Sequence, residues 1–361
     1  MGIVRIDESQ RLEIQEFRRM LLSCAGLHPR KGEDNNDMRH VTTTTAGEND
    51  DAHPKLVCVT SGVSFLGIAI VNQLLLRGYS VRLIVHNQED VEKVREIKAS
   101  EEMRGSNNMV EAVMANLSQV ESLIEAFEGC GGVFHTAAFV DPAGLSGYSK
   151  TMAQIEVKAT KNIVEACAAA SSVRQCVLTS SLLACVWQDK SINNTSLIID
   201  QKCWSDESVC INKKLWYALG KLRAEKAAWE LAKERGLKLA TICPGLVTGP
   251  EFHYRSLTST IAYLKGAGEM YADGVLATVD VSRLAKAHIC VYEEMKKTSV
   301  GRYICFDRRL ESQEETEKLA RETGIGIDIT RDVSVNCPMR FQLSNLKLSM
   351  LMSRMSRCNE P

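Results

Sequence analysis

The chain has 361 residues, 45% hydrophobic and 25% charged, with 44 basic and 45 acidic side chains for a net charge of −1. This balance is ordinary for a globular protein and excludes an electrostatic nucleic-acid surface. No run approaches the ~18 uninterrupted apolar residues of a membrane helix, so no membrane partner is expected.

Residues 1–54 stand apart from the rest. MGIVRIDESQ lacks the apolar core of a secretion signal. Ile6 occupies the place where a myristoylation signal needs Ser or Thr. A short helix is expected from about Glu8 to Cys24. HPRKGEDNNDMRHVTTTTAGENDDAHP follows, too poor in large apolar side chains to build a core, so the extension is expected to be disordered.

From Lys55 the pattern alternates between strand and helix. KLVCVT is an apolar strand, and FLGIAIVNQLLLRG is a helix with Gly78 at its C-terminal cap. SVRLIV is the second strand, Gln88 to Glu102 a charged helix, and MVEAVMA the third strand. VESLIEAF is helical, GGVFHTAA is the fourth strand, and a helix runs from about Thr151 to Ser171. RQCVLTSS is the fifth strand, Lys214 to Arg235 a helix, and LKLATICPG the sixth strand. Such alternation predicts an α/β fold, a doubly wound parallel sheet of Rossmann type with helices on both faces. Past Pro250 the alternation weakens to a helix with loops, the helix SRLAKAHICVYEEM and the strand GRYICF. The expected division is a dinucleotide-binding domain over 55–250, completed by about 275–306. Segments 251–274 and 307–361 then form a smaller substrate-binding region and tail.

The 13 cysteines include no C-x-x-C pair, and most sit in apolar strings. They read as buried, reduced thiols of a cytoplasmic protein. His and Cys never fall at ligand spacing, so no metal site is expected.

Three stretches carry chemistry. The turn between the first strand and its helix, TSGVSFLG, has Gly62 and Gly67 with serine at Ser61 and Ser64. A helix N-terminus here offers backbone N–H groups and a positive dipole end to a pyrophosphate. The second strand ends near His86 with no acidic residue to hold a ribose 2′-hydroxyl. Arg82, His86 and Lys93 instead suit a 2′-phosphate, favouring NADP over NAD, although each could equally be solvated surface charge. LWYALGK places Tyr217 and Lys221 four apart, on one helix face. An ammonium near a phenol stabilises phenolate and lowers the tyrosine pKa, which makes Tyr217 an acid or base. Ser181 ends the fifth strand, where ligands lie in an open α/β sheet.

Together these residues resemble the extended short-chain dehydrogenase/reductase family, in particular the plant cinnamoyl-CoA reductase and dihydroflavonol reductase group. The likeness runs from about Lys55 to Phe306, roughly 70% of the chain. It includes GVFHTAA, VLTSS, CWSDE, WYALGK, AWELAKERGL, ICPGLVTGP and GRYICF. The resemblance implies NADP(H) as cofactor, with Ser181 polarising a carbonyl and Tyr217 donating the proton. Lys221 would bond the nicotinamide ribose and lower the Tyr217 pKa. It further implies cofactor contacts from Ser61, Gly62, Ser64, Phe65, Leu66 and Gly67 at the turn. Lys93 and His86 would lie near the 2′-phosphate, and Asn116 and Leu117 near the adenine. Thr136, Ala137 and Ala138 follow the fourth strand, and Pro244 and Val247 lie along the nicotinamide.

Two departures stand out. The family turn is Thr-Gly-x-x-Gly-x-x-Gly, and its first two glycines are Ser61 and Ser64 here. Cinnamoyl-CoA reductases carry Asn-Trp-Tyr-Cys-Tyr-Gly-Lys where this chain has LWYALGK. The expected function is an NADPH-dependent reductase of a carbonyl or CoA thioester, acting on a small and aromatic substrate. Phe252, Tyr254 and Tyr271 either line an aromatic pocket or belong to the core. The alternatives are an NADP-binding regulatory protein with little catalysis, and a sugar-nucleotide epimerase or dehydratase of the same superfamily.

Overall fold

The computed structural model describes residues 55–99, 109–136, 148–189, 197–249, 257–297, 300–327 and 340–358. The expected N-terminal helix and linker lie outside these residues. In chain order the elements begin with β1 (Leu56–Val59), α1 (Phe65–Leu76), β2 (Ser80–Val85), α2 (Gln88–Ala99), β3 (Val110–Met114) and α3 (Val120–Phe127). β4 (Gly132–His135), α4 (Lys150–Ala169), β5 (Gln175–Thr179), α5 (Leu183–Val186), β6 (Leu197–Ile199) and α6 (Glu207–Asn212) follow. Then come α7 (Trp216–Arg235), β7 (Lys238–Pro244), β8 (Leu246–Thr248), α8 (Leu257–Leu264), α9 (Ala267–Ala272) and β9 (Ala277–Asp280). The last are α10 (Val281–Glu294), β10 (Gly301–Cys305), β11 (Arg308–Arg309), α11 (Gln313–Thr323), β12 (Phe341–Leu343) and α12 (Leu346–Cys358). Among the described residues no helix is long and apolar enough to cross a membrane.

One sheet of seven strands, in the order β10-β7-β5-β4-β1-β2-β3, organises the molecule. Each pairing is parallel, with Val57 opposite both Val81 and Gly132. This is the expected doubly wound arrangement. The strand order reverses between β1 and β4, which opens a crevice at their carboxyl ends. Alternate residues of β1 supply two cores. Val57 and Val59 join the core containing Phe65, Ile68 and Leu83, whereas Cys58 joins the one containing Ile84, Leu123 and Ile163. Burial on both faces explains why the strand sequence is continuously apolar.

α1 ends as its sequence predicts. Gly78 has φ +74°, and the N–H groups of Gly78 and Tyr79 donate to the carbonyls of Leu75 and Leu74, a Schellman closure. The glycines at the other end of α1 do a different job. Neither Gly62 nor Gly67 has positive φ. A Cβ on Gly67 would lie 1.9 Å from the Ser61 carbonyl oxygen, and one on Gly62 would lie 2.4 Å from Leu83 Cδ2. They are glycines because helix, turn and β2 approach too closely for a side chain.

α7 starts at Trp216, two residues later than its sequence suggests, because Lys214 has φ 53° and turns the chain left-handed. Gly220 lets α4 pack closely, since a Cβ there would lie 3.1 Å from Ala153 Cα. Short strands were not anticipated: β8, β9 and β11 form one small sheet, and β6 and β12 another. The poorly patterned tail holds α11, begun by a capping box of Ser312 and Glu315, and α12, which packs on α10 and β10.

Gly67→Ala should lower stability by about 3 kcal/mol, the upper end for overpacking, because the atom met is a backbone carbonyl. Gly78→Ala has open space around its Cβ and should lose only the left-handed penalty of roughly 1–2 kcal/mol. Urea midpoints measure both; a loss in Gly67→Ala no larger than in Gly78→Ala would contradict the close approach.

Candidate active site

At the crevice, the first turn of α1 is closed by its own serines. Ser64 caps the helix: its hydroxyl accepts from the Gly67 N–H at 3.1 Å and donates to the Ser61 carbonyl at 2.7 Å. The Ser64 N–H also donates to that carbonyl, at 3.1 Å. Phe65 and Leu66 are the first two helical positions, whose N–H groups have no acceptor within a helix. They point a dipole end at the crevice. Across it, Thr136 follows β4. Its N–H donates to Thr60 Oγ1 at 3.3 Å, while its own buried hydroxyl has no hydrogen-bond partner among the described residues. Two glycine positions without room for a Cβ, helix-start amides that have no intrahelical acceptor, and a buried hydroxyl unpartnered among the described residues fit a dinucleotide pyrophosphate.

The residues expected around the adenine end are less united. Arg82 turns away from the end of β2. Its guanidinium pairs with Glu111 at 2.5 Å and donates to the carbonyls of Ala126 and Glu128. These bonds give Arg82 a structural role between β2, β3 and α3 in place of the expected phosphate contact. His86 is exposed just beyond β2. Lys93 falls within α2, but its side chain lies outside the described part. Asn116 is exposed, and its side-chain oxygen accepts from the N–H and hydroxyl of Ser118. Leu117 is buried, and its carbonyl accepts from Asn162 at 3.0 Å. Ala137 and Ala138, like Phe252 and Tyr254, lie outside the described residues. Tyr271 packs against the core, its hydroxyl donating to the Glu311 carbonyl at 3.4 Å.

At the other end the expected residues converge on the carboxyl ends of β5 and β7. Ser181 is buried after β5, where its hydroxyl accepts from the Leu183 N–H at 3.2 Å. Pro244 ends β7, and its carbonyl accepts from the Leu182 N–H at 2.7 Å. Val247 is half-buried on β8. On α7 the Lys221 ammonium lies 5.7 Å from the centre of the Tyr217 ring. This buried lysine also carries a partner not foreseen, Glu156 of α4, at 2.5 Å. Tyr148 donates to the other Glu156 oxygen and sets its ring edge-on to Tyr217, with centroids 5.0 Å apart.

These neighbours change the expected electrostatics. Burial works against the Lys221 charge, but Glu156 and then Tyr217 outweigh it and hold the ammonium above its ordinary pKa. Burial pushes the Tyr217 phenol up; Lys221 pulls it down as expected, yet the net shift is upward, with Glu156 adding to it. The resting group is therefore a protonated phenol.

The sequence reading also missed Glu225. It is fully buried one helical step beyond Lys221 and bonds Arg302 of β10 at 2.7 Å, Thr241 at 2.6 Å and Ser180 at 2.8 Å. The available signal was positional. Ala153, Glu156, Thr160 and Ile163 are all buried on α4, and Ala218, Lys221, Glu225 and Ala228 on α7. A carboxylate on a stripe of that spacing is inside the protein and needs a partner.

Residues 57–304 match the NAD dependent epimerase/dehydratase family. The chain is 38% identical over 272 residues to cinnamoyl-CoA reductase 1 of Petunia hybrida, covering 74% of this chain and 77% of that protein. It is 29% identical over 294 residues to tetraketide alpha-pyrone reductase 1 of Arabidopsis thaliana, covering 80% and 85%. Among solved structures it is similar to vestitone reductase from alfalfa, with TM-score 0.56, 25% identity and coverage of 82% and 91%. Its fold also matches yeast methylglyoxal/isovaleraldehyde reductase complexed with NADPH, with TM-score 0.61, 22% identity and coverage of 82% and 93%.

Two buried histidines flank the site and set its response to acid. His135 Nδ1 lies 3.0 Å from Thr60 Oγ1; burial, then the nearby Lys221 charge, lowers its pKa to about 3. His288 lies between Thr179 Oγ1 and the Leu284 carbonyl, each 2.8 Å away, and burial lowers its pKa to about 4. Both are neutral when folded. Below about pH 6.5 the unfolded chain takes up protons that the folded chain refuses, so stability falls as the pH drops towards 4. Between pH 7.5 and 5 the loss should be about 2 kcal/mol per histidine. Urea unfolding of His288→Gln should show about half of the loss assigned to the pair; an unchanged pH dependence would contradict the neutral assignment.

Proposed function

The chain belongs to the NAD dependent epimerase/dehydratase family, the extended short-chain dehydrogenase/reductases, and on that premise we propose that it is an NADPH-dependent reductase of a small carbonyl compound or CoA thioester. The observation that carries the reading is the buried Lys221 ammonium 5.7 Å from the centre of the Tyr217 ring on α7. The names of the relatives support the class: two plant proteins to which the chain is similar are a cinnamoyl-CoA reductase and a tetraketide alpha-pyrone reductase.

The cradle at Gly62, Ser64, Phe65, Leu66 and Gly67 would hold the pyrophosphate. Thr136, Pro244 and Val247 would lie along the rest of the cofactor. Bound NADPH would supply a hydride to the carbonyl carbon. As the π pair of the C=O bond moves onto oxygen, that oxygen takes the Tyr217 proton. The Ser181 hydroxyl accepts a hydrogen bond from Leu183 and has its own proton to donate to the same oxygen, which orients it and disperses its charge. Lys221 fixes the electrostatics around the phenol. With a thioester, the C–S bond of the tetrahedral adduct then breaks as the adduct's hydroxyl proton passes, by way of Tyr217, to the departing sulfur, leaving an aldehyde and the CoA thiol. A substrate with an aromatic ring is in keeping with the named relatives.

Tyr217→Phe should bind NADPH as the wild type does and reduce substrate at least ~100-fold more slowly, the low end for loss of a general acid. Calorimetry with NADPH and steady-state rates on a panel of aldehydes, ketones and CoA thioesters test this. Wild-type turnover in Tyr217→Phe would refute the assignment. Tight NADPH binding without turnover of any carbonyl would favour a dinucleotide-binding regulator instead.

A further inference from the structure

We propose that Glu156 is a positioning residue that neutralises Lys221 and thereby keeps Tyr217 in its proton-donating form, biasing the site towards reduction. The role assigned to Glu156 rests on the reading of Tyr217 as proton donor. Its grounds are geometric. The carboxylate is 3% exposed, lies 2.5 Å from the Lys221 ammonium and accepts from the Tyr148 hydroxyl. Close packing of α4 on Gly220 brings Glu156 to this place. A lysine acting alone would present a full positive charge to the phenol 5.7 Å away from it. A lysine paired at 2.5 Å presents a dipole, whose field falls off much faster.

Titratable groups face Tyr217 from several of the described elements packed on it. On its own helix are Lys221 and, beyond it, Glu225. From α4 and the residues before it come Glu156 and Tyr148. β4 contributes His135, which is neutral and faces Lys221. α8 contributes Tyr263, buried and held protonated by that burial and by Tyr217. Neither His135 nor Tyr263 carries charge near neutral pH. Burial raises the Tyr217 phenol most, and the charge balance added to it turns on Lys221 and Glu156, with Glu225 matched by Arg302. Alcohol oxidation, the reverse reaction, needs the phenolate and is disfavoured by this arrangement.

The test reads Tyr217 directly. Phenolate absorbance is titrated in the wild type, and the Tyr217→Phe curve is subtracted to isolate this tyrosine. Glu156→Gln keeps the shape and a hydrogen-bond acceptor for Lys221 but removes the negative charge. The Tyr217 midpoint should fall by about one pH unit or more, and alcohol oxidation by NADP⁺ should rise at neutral pH. Glu156→Asp, which keeps the charge, should stay near the wild type.

A second arm covers a Glu156→Gln chain that does not fold. Glu156→Gln/Lys221→Met replaces a buried pair by neutral groups of similar size, an exchange that buried pairs often tolerate. If the carboxylate cancels the ammonium, the double variant titrates near the wild type. A midpoint about one unit higher means that Lys221 acts uncancelled and overturns the proposal, as does an unshifted Glu156→Gln. A shifted midpoint in a protein that reduces no carbonyl sustains the electrostatic claim and sinks the reductase reading.

Discussion

One buried carboxylate fixes the geometry on which the site depends. Glu225 lies on α7 at the third of three positions spaced four residues apart, after Tyr217 and Lys221, and has no access to water. Its oxygens bind Arg302 from the last strand of the sheet, Thr241 from β7 and Ser180 beside Ser181. Arg302 in turn stacks on Trp204, 3.5 Å from the ring centre, and donates to the carbonyls of Gln201 and Cys203. Removing either partner would strand a charge in the interior, a loss of about 3–5 kcal/mol. The rotation of α7 about its axis is thus set by this bond, and with it the direction of the tyrosine and lysine. Strand β10, late in the chain, is needed to hold a helix formed much earlier.

That dependence marks the limit of what the residues alone could say. The parallel sheet was legible because its strands are buried on both faces and read as unbroken apolar runs. The turn, Ser181, Tyr217 and Lys221 were legible because their spacing is local. The strands of β6, β8, β9, β11 and β12 have two to four residues, too few to show a period. Arg82 looked like a phosphate ligand from its strand position. Its length lets it reach the carbonyls that end α3, which only the packing reveals. Glu156 and Glu225 could have been suspected from their places on buried stripes. Their partners could not, because Lys221 and Arg302 meet them through tertiary packing.

The interior around the proposed reaction centre is close to electrically balanced. Lys221 faces Glu156, Arg302 faces Glu225, and His135 and His288 are neutral. A carbonyl entering such a site meets hydroxyl dipoles rather than net charge. On the proposed reading, the anionic part of a dinucleotide would lie apart from it, at the N-terminus of α1. Such a separation would let one crevice accommodate phosphate charge and proton transfer without either disturbing the other.

The serines of the β1–α1 turn carry a consequence for folding as well. Ser64 has φ −77°, and Ser61, like Ser64, is absent from the left-handed region. Neither position demands glycine, in contrast to the crowded Gly62 and Gly67. A side chain there narrows the freedom of the unfolded chain, and exchanges of this kind stabilise proteins by about 0.4–1 kcal/mol each. Where the family pattern has two flexible residues, this chain carries a turn already set by its own hydroxyl. The entropy of ordering that loop is met during folding, before any ligand arrives.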